Sequence, residues 1–210
     1  MGMSTDFESR LRAVVDTTPA QEVFLDDTRD AAVLIPIVAV PEPTLIFTVR
    51  TDHLPSHKGQ ISFPGGSIDE GDGSPEAAAL REALEEIGLD PKAVRILGRF
   101  DDFPTYVTGY VVSPVVGWID KEPDLLPNPA EVAEVLHVPI SDLIDDIRRE
   151  PGFTCEGRTY PTEAWVWHGH IIWGVTARVV RVFLEHLAEA GLAPRPSGDG
   201  LWPDLGEERA

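Results

Sequence analysis

The chain has 210 residues, with 36 Asp and Glu against 17 Lys and Arg, a net charge of −19. This length suits one domain with a core of its own, and 42% hydrophobic with 25% charged residues excludes global disorder. So acidic a chain repels phosphate backbones and is no general nucleic-acid binder; an anionic small substrate would need a local basic patch or a metal ion. The single cysteine, Cys155, excludes an internal disulfide and a multi-cysteine zinc site. The first residues carry no apolar core of signal type and no apolar run reaches membrane-spanning length, so a cytoplasmic protein without membrane contact is expected.

Residues 7–16 read as an amphipathic helix with Phe7, Leu11, Val14 and Val15 on one side, and residues 1–30 as this helix and a lead-in. The apolar, β-branched run 31–40 is a buried strand in which Pro36 marks an edge or a bulge. Pro41-Glu42-Pro43 turns the chain into 45–49, its hairpin partner. A polar loop fills 50–59, and Gln60-Ile61-Ser62-Phe63 is a short strand closed by Pro64-Gly65-Gly66. A helix follows over 75–87. Ser74 is its N-cap, Pro75 its first residue and Gly88 its stop, while Ala77 stands where a capping-box acid would be. Strands are expected at 94–100, 109–119 and 132–138, then a helix near 140–149. Residues 165–167 and 171–173 flank a turn at Gly169, and the last helix spans 174–190. The Pro- and Gly-rich tail 191–210 is expected to be mobile. Strands and helices without strict alternation predict an α/β protein with a mixed β-sheet and helices on both faces.

At 100° per residue, Glu82, Glu85 and Glu86 fall on one face of the 75–87 helix, with Leu80, Ala83, Leu84 and Ile87 roughly opposite, against the core. Residues 69–86 hold seven acids and one base, Arg81. A solvated helix face is one account of such a run. A hard divalent cation is the other, since Mg²⁺ or Mn²⁺ takes oxygen ligands and leaves room for water and phosphate. Arg81 stands four residues before Glu85 and can hold it by an ion pair.

The string over 66–89 resembles the signature of the Nudix hydrolases: a glycine, an acidic loop, then Arg81, Glu82, Ala83, Glu85, Glu86, Gly88 and Leu89. It departs from the general pattern at one point. Asp72 takes the place of a glutamate, and eight residues rather than seven separate it from Arg81. The insertion, with Asp69 and Asp72, is similar to the coenzyme A diphosphatase branch of that family. A second signature of the branch lies upstream, in Thr48-Val49-Arg50, Leu54, His57 and the run from Gly59 to Gly66. Weaker echoes follow in Asn128-Pro129-Ala130-Glu131-Val132 and around Trp173.

The resemblance implies a Nudix fold, an α/β/α sandwich with a mixed sheet, over residues 31–190. It implies hydrolysis of coenzyme A, or its acyl esters, to adenosine 3′,5′-bisphosphate and 4′-phosphopantetheine with Mg²⁺ or Mn²⁺. Glu82 and Glu86 would be metal ligands, with the Gly66 carbonyl as a further one. Glu85 would be a third ligand or the group that activates water, oriented by Arg81, and Glu131 is the alternative general base. Residues 50–58 carry Arg50, His53, His57 and Lys58 against Asp52, a basic island in an acidic protein. Arg50, His57, Lys58 and Gln60 are therefore expected to bind substrate, with Arg50 and Lys58 meeting the 3′-phosphate and the diphosphate as the alternative for Arg50. Phe63 is core or a substrate contact. Two rival readings are a Nudix hydrolase of ADP-ribose or a damaged nucleotide, and a Nudix-fold binding module without catalysis. The partner is a small molecule, and a homodimer stays open.

The remaining candidates carry less. His137, His168, His170 and His186 have no zinc-type spacing. Trp165, Trp167 and Trp173 read as core or interface residues. Cys155 has no visible partner for nucleophilic chemistry.

Overall fold

A computed structural model describes residues 2–15, 20–51, 59–105, 109–144, 147–155 and 158–195, with the backbone alone at 2–5, 147–155 and 158–163. In chain order the elements are α1 (Gly2–Val15), β1 (Arg29–Val38), β2 (Thr44–Arg50), β3 (Ile61–Ser62), β4 (Gly65–Ser67) and α2 (Pro75–Ile87). Then come β5 (Arg95–Arg99), β6 (Phe103–Thr105), β7 (Tyr110–Ile119), β8 (Val132–Pro139) and α3 (Ile140–Ile144). The last are β9 (Ile147–Cys155), β10 (Arg158–Trp167), β11 (His170–Trp173) and α4 (Gly174–Glu189).

Eight strands form one sheet in the order β3-β2-β1-β7-β5, with β4 on β1, β6 on β7 and β8 on β2. β1 and β7 run parallel from Arg29↔Tyr110 to Val38↔Ile119, and the other pairs are antiparallel. The period-two alternation of β1 divides its side chains between two cores. Ile35 and Ile37 join Leu11 of α1 and Phe183 and Leu184 of α4. Ala32, Leu34 and Val38 join Ala78, Ala79, Ala83 and Ile87 of α2. Helices thus cover both faces of a mixed sheet, as expected. Among the described residues no helix is long and apolar enough to cross a membrane.

Four expectations are corrected. Pro36 lies in a central strand, not at an edge. Leu34 N–H donates to Pro64 O at 2.8 Å, and β1 resumes pairing at Ile37↔Leu45, so the missing donor of Pro36 falls between two partner strands. Gly65-Gly66 does not close a strand but begins one, paired to β1 through Ala32↔Gly66 and Val33↔Gly65. The helix expected over 140–149 ends at Ile144, and β9 pairs with β10 through Ile147↔Trp165; long-range pairing outweighs local propensity where Pro151 and Gly152 disfavour a helix. Leu84 is 47% exposed while Glu86 is 4% exposed, because the buried stripe of α2 runs through Ala79, Ala83, Glu86 and Ile87.

The limits of α2 match the expectation. Ser74 Oγ accepts from Ala77 N–H at 3.2 Å, and Gly88 has φ of 68°. Ser74→Ala is expected to cost about 1 kcal/mol, lowering Tm by about 2–4 °C in a thermal melt. Of the tryptophans, Trp165 is core and donates to Leu143 O at 2.7 Å, whereas Trp173 is 41% exposed.

Candidate active site

The β4–α2 connection sets one wall of the site. β4 pairs with β1, and the acidic loop joins it to α2. Glu86 points back at this strand, and Gly65 N–H donates to its Oε2 at 3.2 Å. Burial pushes the Glu86 carboxyl up from 4.5 to about 7; Glu82 and Glu131 add to the rise, while the Gly65 N–H and the Arg50 charge oppose it. Glu82 is also raised, first by burial, and again Glu131 contributes. A Cβ at Gly66 would stand 2.5 Å from Glu82 Oε1, so only glycine leaves the carboxylate its place. Gly66→Ala is expected to keep the fold, since Glu82 can swing, and to cut turnover about 10-fold or more; steady-state rates and a melt check it.

Arg81 gathers the acids. Its Nε and Nη2 donate to the two oxygens of Asp72 at 2.8 and 3.1 Å, and Nη2 also reaches Ser67 O at 3.0 Å. Nη1 donates to Glu82 at 2.9 Å and to Glu85 at 3.2 Å. Arg81 holds the Asp72 carboxyl below the usual carboxylate range, helped by Asp69 N–H, which donates to Asp72 at 2.7 Å. The inserted residue is therefore accommodated in a loop that closes onto Arg81. The longer spacing from Asp72 to Arg81 was the available signal for this contact.

The opposite wall comes from β2 and β8. Their pairing runs to Arg50↔Val132, past an irregularity at Val49, and sets Thr51 beside the loop that carries Glu131. Thr51 N–H donates to Glu131 O at 2.9 Å, and Thr51 Oγ1 donates to Ala130 O at 3.2 Å. Asn128 N–H donates to Glu86 O at 2.8 Å. Glu131 and Arg50 are thereby brought within electrostatic reach of Glu86. Arg50 Nε is the one buried side-chain nitrogen or oxygen without a hydrogen-bond partner among the described residues.

The structure thus brings together Gly66, Arg81, Glu82, Glu86, Glu131 and Arg50. Glu85 stands beside them, its side chain 56% exposed and turned to Arg81. Gln60 is half-buried, and its carbonyl accepts from Arg50 N–H at 3.0 Å. His53, His57 and Lys58 lie outside the described residues, as does the side chain of Cys155. Phe63 is core, stacked on Phe47 at 4.5 Å. His186 stacks on Phe100 at 4.4 Å.

Among the described residues no three His, Cys, Asp or Glu side chains stand ready to hold a metal ion. Arg81 and Gly65 take carboxylate oxygens of Glu82, Glu85 and Glu86. The donor chemistry nonetheless fits a hard divalent cation. Glu82, Glu86 and Glu131 offer oxygen ligands, and Glu82 and Glu86 are each disfavoured as anions by burial and by neighbouring carboxylates.

A family profile described as the NUDIX domain matches residues 28–156. A Photorhabdus laumondii protein named Uncharacterized Nudix hydrolase NudL is 36% identical over 190 residues, covering 87% of this chain and 97% of that one. A protein of the same name from Escherichia coli K12 is 41% identical over 168 residues, covering 79% and 85%. The crystal structure of a MutT/nudix family protein from Enterococcus faecalis is similar in fold, with a TM-score of 0.51 at 14% identity, covering 80% of this chain and 64% of that one. The chain belongs to the Nudix hydrolase family. Such enzymes act on pyrophosphate bonds of small nucleotide derivatives and generally use divalent ions such as Mg²⁺ or Mn²⁺.

Proposed function

We propose that the protein hydrolyses the diphosphate of coenzyme A or its acyl esters, with Mg²⁺ or Mn²⁺, to adenosine 3′,5′-bisphosphate and 4′-phosphopantetheine or its acyl form. The observation that carries this reading is the unpartnered, buried Nε–H of Arg50, a residue whose charge acts on Glu86. A buried donor left without an acceptor costs about 1–3 kcal/mol, a cost that an arriving phosphate oxygen removes. Coenzyme A is favoured among nucleoside diphosphate derivatives by the run from Gly59 to Gly66 and by the basic residues around it.

In this reading Glu82, Glu86 and the Gly66 carbonyl would hold the ion, and Glu85, kept in place by Arg81, would serve as a further ligand. When bound, the ion neutralises diphosphate charge and lowers the pKa of a coordinated water. Arg50, Gln60, His57 and Lys58 bind the substrate. Glu131 accepts the proton of the attacking water as a new P–O bond forms and the bridging P–O bond breaks. Residues 31–190 act as the hydrolase domain, in a cytoplasmic setting.

The test is product identification by mass spectrometry after incubation with coenzyme A, ADP-ribose and a panel of damaged nucleotides, with Mg²⁺ and with Mn²⁺. Adenosine 3′,5′-bisphosphate with phosphopantetheine is the expected pair. Turnover of ADP-ribose or a nucleotide alone overturns the substrate, and turnover of nothing points to a binding module.

A further inference from the structure

Glu131 sits in a short loop far in sequence from α2, yet its backbone is pinned on two sides. From the β2 side, Thr51 contributes two hydrogen bonds, N–H to Glu131 O at 2.9 Å and Oγ1 to Ala130 O at 3.2 Å. Thr51 is a polar residue only 5% exposed, directly after Arg50. From the α2 side, Asn128 N–H donates to the carbonyl of Glu86 at 2.8 Å. Asn128 also shapes the turn itself. Its Oδ1 accepts from Ala130 N–H at 3.1 Å, and its carbonyl accepts from Glu131 N–H at 3.0 Å and Val132 N–H at 2.8 Å. Neither residue has a side chain suited to the chemistry, and both bond backbone groups of the loop and not its carboxylate.

We propose that Thr51 and Asn128 are positioning residues that fix the Glu131 loop between the Arg50 strand and the Glu86 helix, and so set the place of the Glu131 carboxylate over the reacting diphosphate. This rests on the reading of Glu131 as proton acceptor. The device links the two halves of the site: Thr51 ties Glu131 to the strand that grips substrate, and Asn128 ties it to the helix that would hold the ion. A hydroxyl on Thr51 is needed, since valine fills the same volume but cannot donate to Ala130 O.

The experiment uses the full chain with Mg²⁺ and coenzyme A. Thr51→Val is expected to lower kcat about 5- to 10-fold with KM changed less than about 2-fold, because the loop shifts while substrate contacts persist. Thr51→Ser, which restores the donor, is expected to return kcat to within about 2-fold of wild type, and Asn128→Ala, which takes the Oδ1 acceptor from Ala130 N–H and leaves the backbone bond to Glu86 O in place, should lower kcat in the same direction as Thr51→Val but by less. Glu131→Gln should lower kcat on the order of 10²-fold, and Thr51→Val added to it should cost less than about 2-fold more. A second readout needs no substrate: hydrogen exchange over residues 128–132 should quicken in Thr51→Val, with α2 unchanged. A full, multiplicative cost of Thr51→Val on top of Glu131→Gln overturns the positioning role and leaves Glu131 itself standing. Wild-type rates for Glu131→Gln overturn both. Should coenzyme A not be turned over at all, the substrate reading falls, and the exchange measurement still decides the loop: unchanged protection overturns it.

Discussion

Glu86→Gln is expected to leave the fold intact and lower turnover about 10²-fold or more, because the substitution keeps the size of a proposed ligand and removes its charge. The Gln side chain can still accept from Gly65 N–H, so the local hydrogen bond survives. The same variant carries a signature in stability. In the folded chain the Glu86 carboxyl is pushed up from 4.5 to about 7, chiefly by burial. Between those values the folded state holds a proton that the unfolded state has released, so this group makes stability fall as pH rises through the window. The loss at pH 8 is at most about 3 kcal/mol, at 1.36 kcal/mol per pKa unit. Glu86→Gln has no such titration. In chelator, its Tm should exceed that of wild type at pH 8, and the gap should close toward pH 4.5. Added Mg²⁺ should raise the Tm of wild type more than that of the variant. Equal melting curves at all pH values, with wild-type turnover at saturating Mg²⁺, would remove Glu86 from the site.

Arg50→Ala is expected to reduce kcat/KM for coenzyme A and for dephospho-coenzyme A alike, by roughly 10- to 150-fold, the worth of a charge-assisted contact of about 1.5–3 kcal/mol. From the sequence, Arg50 is expected at the 3′-phosphate, with the diphosphate as the alternative. Its charge acts on Glu86, a proposed ion ligand, and on that ground Arg50 is assigned in the proposed reading to the diphosphate rather than to the remote 3′-phosphate. In the proposed reading Lys58, in the same basic segment, meets the 3′-phosphate. Wild type should therefore prefer coenzyme A to dephospho-coenzyme A, and Lys58→Ala should shrink that preference with dephospho-coenzyme A hydrolysis little changed. Measuring both efficiencies in the three proteins separates the roles. An Arg50→Ala variant that loses only the preference returns Arg50 to the 3′-phosphate. No preference in wild type takes from the basic island its part in favouring coenzyme A.

What the sequence determined by itself is whatever local chemistry fixes. Ser74, Pro75 and Gly88 bound α2 because capping and left-handed backbone involve only neighbouring residues. The apolar run of β1 and its hairpin with β2 followed from the same short-range signals. The spacing of Arg81, Glu82, Glu85 and Glu86 was enough to expect an acidic helix face, and the resemblance of the string over 66–89 to the Nudix signature pointed to the family. Tertiary structure decided the rest. The angle of each side chain on α2 was legible, but not that Glu86 would be the buried acid and Leu84 the exposed apolar residue, since that depends on where β1 and β4 meet the helix. Residues 147–155 became a strand because β10, distant in local signal, offered a partner. Arg50 and Glu131 come together through the pairing of β2 with β8, a register set by contacts between segments some eighty positions apart, which no local window contains. A helix face can be read from periodicity; the neighbours that desolvate it and shift its charges belong to the fold.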